Sequence, residues 1–123
     1  MRKFITIALL SISAAASANS ACDAPKNDFD DLYCLNKVYI QSDKDLNTSY
    51  SALAKMLDKE GKKSLKSGQL EWIKQRNDNC SYHDNRGFFV NIDCATKTTI
   101  ERVQFLDDRA RECKSAGCQN SKL

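Results

Sequence analysis

Six cysteines in a chain of 123 residues constrain this fold more than any other feature. They are Cys22, Cys34, Cys80, Cys94, Cys113 and Cys118. An even count in a short chain reads as a disulfide framework, provided the chain reaches an oxidising compartment. Its start indicates that it does. Arg2 and Lys3 precede an apolar run from Phe4 to Leu10, and small residues follow from Ser11 to Ala18. These are the three parts of a secretory signal peptide, with Ala16-Ser17-Ala18 as the cleavage pattern. The apolar run is far shorter than the roughly 20 residues a membrane span needs. Residues 1–18 are therefore read as a signal peptide and residues 19–123 as a single domain, periplasmic or secreted. Cys22 is read as a disulfide partner and not a lipid anchor, because Asn19 stands where a lipid-attachment site carries an aliphatic residue. Zinc is a poor alternative: there is no C-x-x-C, and His83 is the sole histidine.

Charge narrows the partner. The 19 basic residues include Arg2 and Lys3, so against 16 acidic ones the mature chain sits close to neutrality. That balance argues against nucleic acid or an anionic membrane as the partner. One Pro and four Gly argue against an all-β fold rich in tight turns.

Helical spacing fills the chain. From Phe29 to Leu57 large side chains recur at steps of three and four through Leu32, Tyr39, Leu46, Tyr50 and Leu53, with Asn36 and Asp43 in the series. This predicts one face of a long first helix, capped by Asn27 or Asp28 and ended by Gly61. At 1.5 Å per residue it would span roughly 45 Å. A second helix is predicted over Ser64 to Asn79, its inward face carrying Leu65, Gln69, Trp72, Ile73 and Arg76. A third is predicted over Ile92 to Glu112, its inward face carrying Ile92, Thr96, Thr99, Ile100, Val103, Leu106 and Ala110. Between them Ser81 to Asn91 lacks a helical period and holds the turn signal Asn85-Arg86-Gly87. The expected fold is all-α: an up-down-up antiparallel three-helix bundle with a long first helix, stapled by disulfides.

That topology selects among the fifteen connectivities six cysteines allow. The end of the third helix lies away from the other four cysteines, which pairs Cys113 with Cys118. Cys80 and Cys94 flank the loop between the second and third helices and pair across its base. Cys22–Cys34 then ties the N-terminal segment to the first helix. Closing a loop of about 15 residues is worth roughly 3 kcal/mol.

Three patches carry a further signal. They are Asp43-x-x-Leu46-Asn47-x-x-Tyr50-x-x-Leu53; Gln69-x-x-Trp72-Ile73-x-x-Arg76 followed by Cys80; and Cys94 followed by Thr99-x-x-Arg102-x-x-x-Leu106. In order, spacing and cysteine placement they resemble the LprI-like lysozyme-inhibitor family of small exported bacterial proteins, over about residues 22–106. The resemblance implies a helical, disulfide-bonded envelope protein that inhibits lysozyme. The chain departs from the pattern in its loop after Cys80, which is not glycine-rich, and in the added Cys113 and Cys118.

Residue by residue, Tyr39, Tyr50 and Trp72 read as core. Asp43, Asn47, Gln69, Arg76 and Arg102 lie on or beside the same faces and read as a polar network between helices, since a buried charge needs a partner. Tyr82, His83, Arg86, Phe88 and Phe89 sit on a loop closed at its base by Cys80–Cys94, a suitable place for recognition. Arg86 or protonated His83 would bond one of the two carboxylates of a glycosidase cleft. The alternative is that Phe88 and Phe89 plug the end of the bundle while His83 faces water. A lone histidine, no Gly-rich phosphate loop and no free thiol argue against an enzyme and against a cofactor. Two functions remain: an inhibitor of a lysozyme or related peptidoglycan-cleaving enzyme, or a non-inhibitory envelope binding module of immunity type.

Overall fold

The computed structural model describes residue 22 and residues 24–123, so the signal-peptide expectation lies outside the described residues. Three helices dominate. α1 runs Asp28–Ala54, α2 Lys59–Cys80 and α3 Ile92–Ala116. Each begins on a side-chain cap. Asn27 accepts the Asp30 N–H at 3.0 Å, Asp58 the Gly61 N–H at 2.7 Å and Asn91 the Cys94 N–H at 2.9 Å. Each cap satisfies a backbone donor that the helix itself leaves unpaired.

Two helix boundaries differ from expectation for one reason. Asp58 caps a new helix, so α1 ends at Ala54 and Gly61 falls in the first turn of α2 instead of closing α1. Gly61 is needed there for space. A Cβ would stand 2.5 Å from the Asn120 side-chain oxygen and 3.1 Å from Leu57 Cβ. Asn120 itself donates to Asp58 at 3.1 Å, which brings the tail after α3 onto the α1–α2 turn. The sulfur of Cys118 lies 3.5 Å from the Met56 carbonyl oxygen at the same place.

The interhelical stretch also corrects an all-α expectation. Ser81–Asp84 and Gly87–Val90 form antiparallel strands β1 and β2, joined by Asn85-Arg86. Gly87 has φ 137°, a value that a residue with a Cβ adopts only under strain.

The core is a leucine cluster. Leu46, Leu53, Leu57, Leu65 and Leu106 are buried together, with Tyr50, Trp72, Val103, Phe105 and Leu123 packed on them. Fully burying one such side chain stabilises by about 1.5–3 kcal/mol. α1 packs mainly on α3, and α2 covers the seam less tightly. Thr99 is buried as well, its hydroxyl donating to the Ala95 carbonyl at 2.7 Å. Phe29 and Leu32 depart from the inward face assigned to them. Both are exposed, as is Ile100 on α3. Disulfides join Cys22 to Cys34, Cys80 to Cys94 and Cys113 to Cys118, leaving no free cysteine among the described residues.

Candidate functional site: an aromatic hairpin on a disulfide base

The β1–β2 hairpin gathers all five loop residues singled out by sequence. Strand pairing sets Tyr82 opposite Phe89 and His83 opposite Phe88. Side chains alternate across a strand, so these two pairs fall on opposite faces. On one face the Tyr82 and Phe89 rings stack with centroids 4.8 Å apart. On the other His83 and Phe88 stack at 4.3 Å. Such cross-strand pairs contribute roughly 0.2–1 kcal/mol each. A lone two-stranded hairpin is marginal in water. Here the Cys80–Cys94 bridge and the Asn91 N–H donating to the Cys80 carbonyl at 2.8 Å close its base.

The tip is tied by charge. Asp84 accepts the Arg86 backbone N–H at 2.8 Å, and the Arg86 guanidinium reaches its other oxygen at 2.6 Å. The Arg86 side chain, and next its backbone N–H, hold the Asp84 carboxyl below the ordinary aspartate range. Arg86 also lies 5.1 Å from the Phe89 ring centroid. Arg86 is therefore already engaged within the hairpin, and the expected bond to an outside carboxylate would have to displace Asp84. Phe88 is 84% exposed and Tyr82 58%, so Phe88 does not plug the bundle; Phe89 alone is half-buried. A hollow of about 360 Å³ runs along this surface, walled by Asn77, Asp78, Tyr82, His83, Phe88 and Val90 among others.

The expected polar network divides into one bond and one groove. Arg102 Nε donates to Gln69 Oε1 at 2.9 Å, linking α3 to α2. The Arg102 guanidinium lies 4.4 Å from the Phe105 ring and 5.9 Å from Trp72, and its Nη2 is buried without a hydrogen-bond partner among the described residues. Burial pulls its pKa below the ordinary arginine value, opposed by the Tyr50 phenol. Arg76 bonds neighbouring Asn77 at 3.0 and 3.2 Å, and its guanidinium lies 5.1 Å from the Trp72 ring centroid. It makes no bond to Asp43 or Asn47. Those two, with Gln69, Arg76 and Tyr50, line a groove of about 210 Å³ between α1 and α2. Tyr39, Tyr50 and Trp72 are half-buried; Tyr50 and Trp72 pack against the leucine cluster, while Tyr39 lines a hollow at the hairpin base with Cys80, Ser81 and Val90. The Arg76 and Arg102 guanidinium groups both lie near the Trp72 ring, a proximity that the negative face of the indole favours.

These cysteines, the Trp72–Arg76 face and the Gln69–Arg102 bond lie in one continuous stretch. A family model for the lysozyme inhibitor LprI matches residues 20–106 of it. The chain belongs to the LprI lysozyme-inhibitor family. No curated protein and no solved structure matches the chain. The LprI match takes in α1, α2, the hairpin and the first half of α3, and it ends at Leu106, the last buried leucine of the core. Cys113–Cys118 lies beyond it. Among the described residues no helix is long and apolar enough to cross a membrane, and no group of three or more His, Cys, Asp or Glu could hold a metal ion.

The hairpin itself was missed by sequence reasoning, although a signal for it exists. Tyr82-His83-Asp84 and Gly87-Phe88-Phe89 flank a two-residue turn, and β-formers around such a turn mark a hairpin even when each strand has only four residues.

Proposed function

We propose that this chain is an exported up-down-up bundle of the periplasm or cell exterior. It inhibits a lysozyme or related peptidoglycan-cleaving enzyme by seating its hairpin in the substrate cleft. It acts by binding and performs no catalysis of its own. The observation that carries this reading, beyond membership of the LprI family, is the hairpin: exposed Tyr82, His83 and Phe88 on strands stacked by their own aromatic pairs and closed by a disulfide. A four-residue strand extends about 13 Å at 3.3 Å per residue, long enough to enter a cleft. Because stacking, ion pair and disulfide already fix its shape, little conformational entropy is lost on binding. Phe88, on the same face as His83, would fill the space of a sugar ring, and a ring N–H of His83 would donate to one of the two catalytic carboxylates.

Arg102–Gln69 and the groove between α1 and α2 serve a different purpose on this reading, fixing how the helices sit against one another. The test is clearing of a cell-wall suspension by several lysozyme types with added oxidised protein. Slowed clearing at micromolar protein is expected. No inhibition of any type at that concentration would leave the alternative, a non-inhibitory envelope binding module.

A further inference from the structure

The groove between α1 and α2 sits between two helices whose side chains, among the described residues, make no hydrogen bond or ion pair across it. Asp43, Asn47 and Tyr50 of α1 and Gln69, Ile73 and Arg76 of α2 line this hollow of about 210 Å³. The side chains of Asp43, Asn47 and Tyr50 form no hydrogen bond among the described residues. Arg76 has five N–H donors and makes two bonds, both to the Asn77 side-chain oxygen. Gln69 accepts from Arg102 through its oxygen, which leaves its amide nitrogen without a partner among the described residues.

Charge makes the groove selective. Asp43 and Arg76 are the two charged residues that line it, and neither forms an ion pair, with the other or with any described residue. Lys44 adjoins Asp43 in sequence but does not line the groove. Both charged residues are half-buried, where an ionic contact is stronger than in open water. A second hollow, of about 260 Å³, meets the first at Arg76. Buried Cys80 and Ala95 line it, with Tyr39 and Val90 beside them. Each hollow alone is smaller than the roughly 300 Å³ at which small-molecule sites begin, and the two joined at Arg76 fall within that range.

We infer that this double hollow binds a free α-amino acid with an apolar side chain. Its ammonium group pairs with Asp43, its carboxylate with Arg76, and its side chain enters the apolar hollow beside Tyr39 and Ala95. A zwitterion satisfies both charges at once. A plain anion would meet the repulsion of Asp43 and leave it unpaired, and a plain cation would do the same to Arg76. Asn47 and the Gln69 amide offer further hydrogen bonds to the charged ends, and bonds to ionised groups are the strong ones. The bound molecule would supply the tie between α1 and α2 that the chain itself lacks. This site is independent of the inhibitor reading: none of Tyr82, His83, Arg86 or Phe88 lines either hollow.

The experiment is titration calorimetry and thermal melting of the oxidised protein with alanine, leucine and phenylalanine of either hand, each as the free amino acid, the N-acetyl acid and the amide. A free amino acid is expected to bind and to raise the melting temperature. Blocking either of its ends should weaken binding roughly tenfold or more, as for a lost bond to a charged group. Asp43→Asn, nearly isosteric, should abolish the preference for the free over the N-acetyl form. Arg76→Gln should abolish the preference for the free form over the amide. Arg76 also bonds Asn77 and lies near Trp72, so if Arg76→Gln melts early, Asp43→Asn decides the matter alone. No heat and no melting shift with any free form at millimolar concentration would overturn the inference. So would equal binding of free and blocked forms, or unchanged binding in Asp43→Asn. Lysozyme inhibition, assayed without amino acid, tests the hairpin separately.

Discussion

At one end of the bundle Leu53, Leu65 and Leu106 are fully buried; at the other, Phe29 and Phe88 are each 84% exposed. Both ends are rich in large apolar side chains, and both are closed by disulfides. They differ in what the apolar groups meet. Near the α1–α2 turn leucines from three helices fill one another's space, and the tail after α3 folds back so that Asn120 reaches Asp58. At the hairpin end aromatic rings stack in pairs, and the outer faces of Tyr82, His83 and Phe88 are left to water. The lesson is that one composition serves two purposes, and only packing tells them apart: buried apolar area holds the fold, and exposed apolar area on a braced support is available to a partner.

Substitutions at the two ends should therefore separate stability from binding. The largest effect on stability is expected from Leu65→Ala or Leu106→Ala, a loss of about 3–4 kcal/mol in a denaturant melt, as for buried leucines that leave a cavity. Any protein still folded should inhibit normally. Replacing Cys80 and Cys94 together by Ser should cost about 3 kcal/mol, since that bridge closes a loop of 14 residues. Unlike the leucine changes, it should also weaken inhibition, because it unfastens the hairpin. Trp72→Ala should cost about 2 kcal/mol, below the range for a fully buried aromatic, because Trp72 is only half-buried beside Arg76 and Arg102. Equal losses for Trp72 and Leu65 would erase the distinction between rim and core.

The smallest effect concerns pH. Asp84 and Asp58 both have carboxyls held below the ordinary range, Asp84 chiefly by the Arg86 side chain and Asp58 chiefly by the Gly61 N–H and then Asn120. A lowered folded pKa favours the fold above the unfolded value and loses that contribution as pH falls through the folded one. The hairpin tip and the start of α2 should thus loosen only below about pH 4. Amide exchange at Arg86 and Gly61 would read this. Loosening that begins near neutral pH would mean these carboxylates do not hold the two turns.

Much of the fold was legible because helical periodicity is a long signal. Leu46, Leu53, Leu65 and Leu106 declare their faces over many turns, and the cysteine spacings fall at the ends of those faces. Short-range features were harder. Gly61 reads as a helix end, yet Asp58 three residues earlier is a cap, and the cap prevailed because Asn120, distant in sequence, occupies the space above Gly61. Phe29 and Leu32 fit the buried periodicity, but periodicity does not state how far the neighbouring helices reach. The hairpin rests on four-residue strands, too short for a period-2 pattern to stand out. Arg86 was assigned outward because the turn geometry that hands it Asp84 is a three-dimensional fact.

The separation of binding from folding is tested most directly by His83→Ala combined with Phe88→Ala, assayed for lysozyme inhibition alongside thermal melting. The two rings lie on one exposed face of the hairpin and touch each other more than they touch the core. The expected result is inhibition weakened at least tenfold with a melting temperature close to wild type. A double variant that inhibits as well as wild type would contradict the hairpin assignment. So would one that loses inhibition only in proportion to lost folded protein.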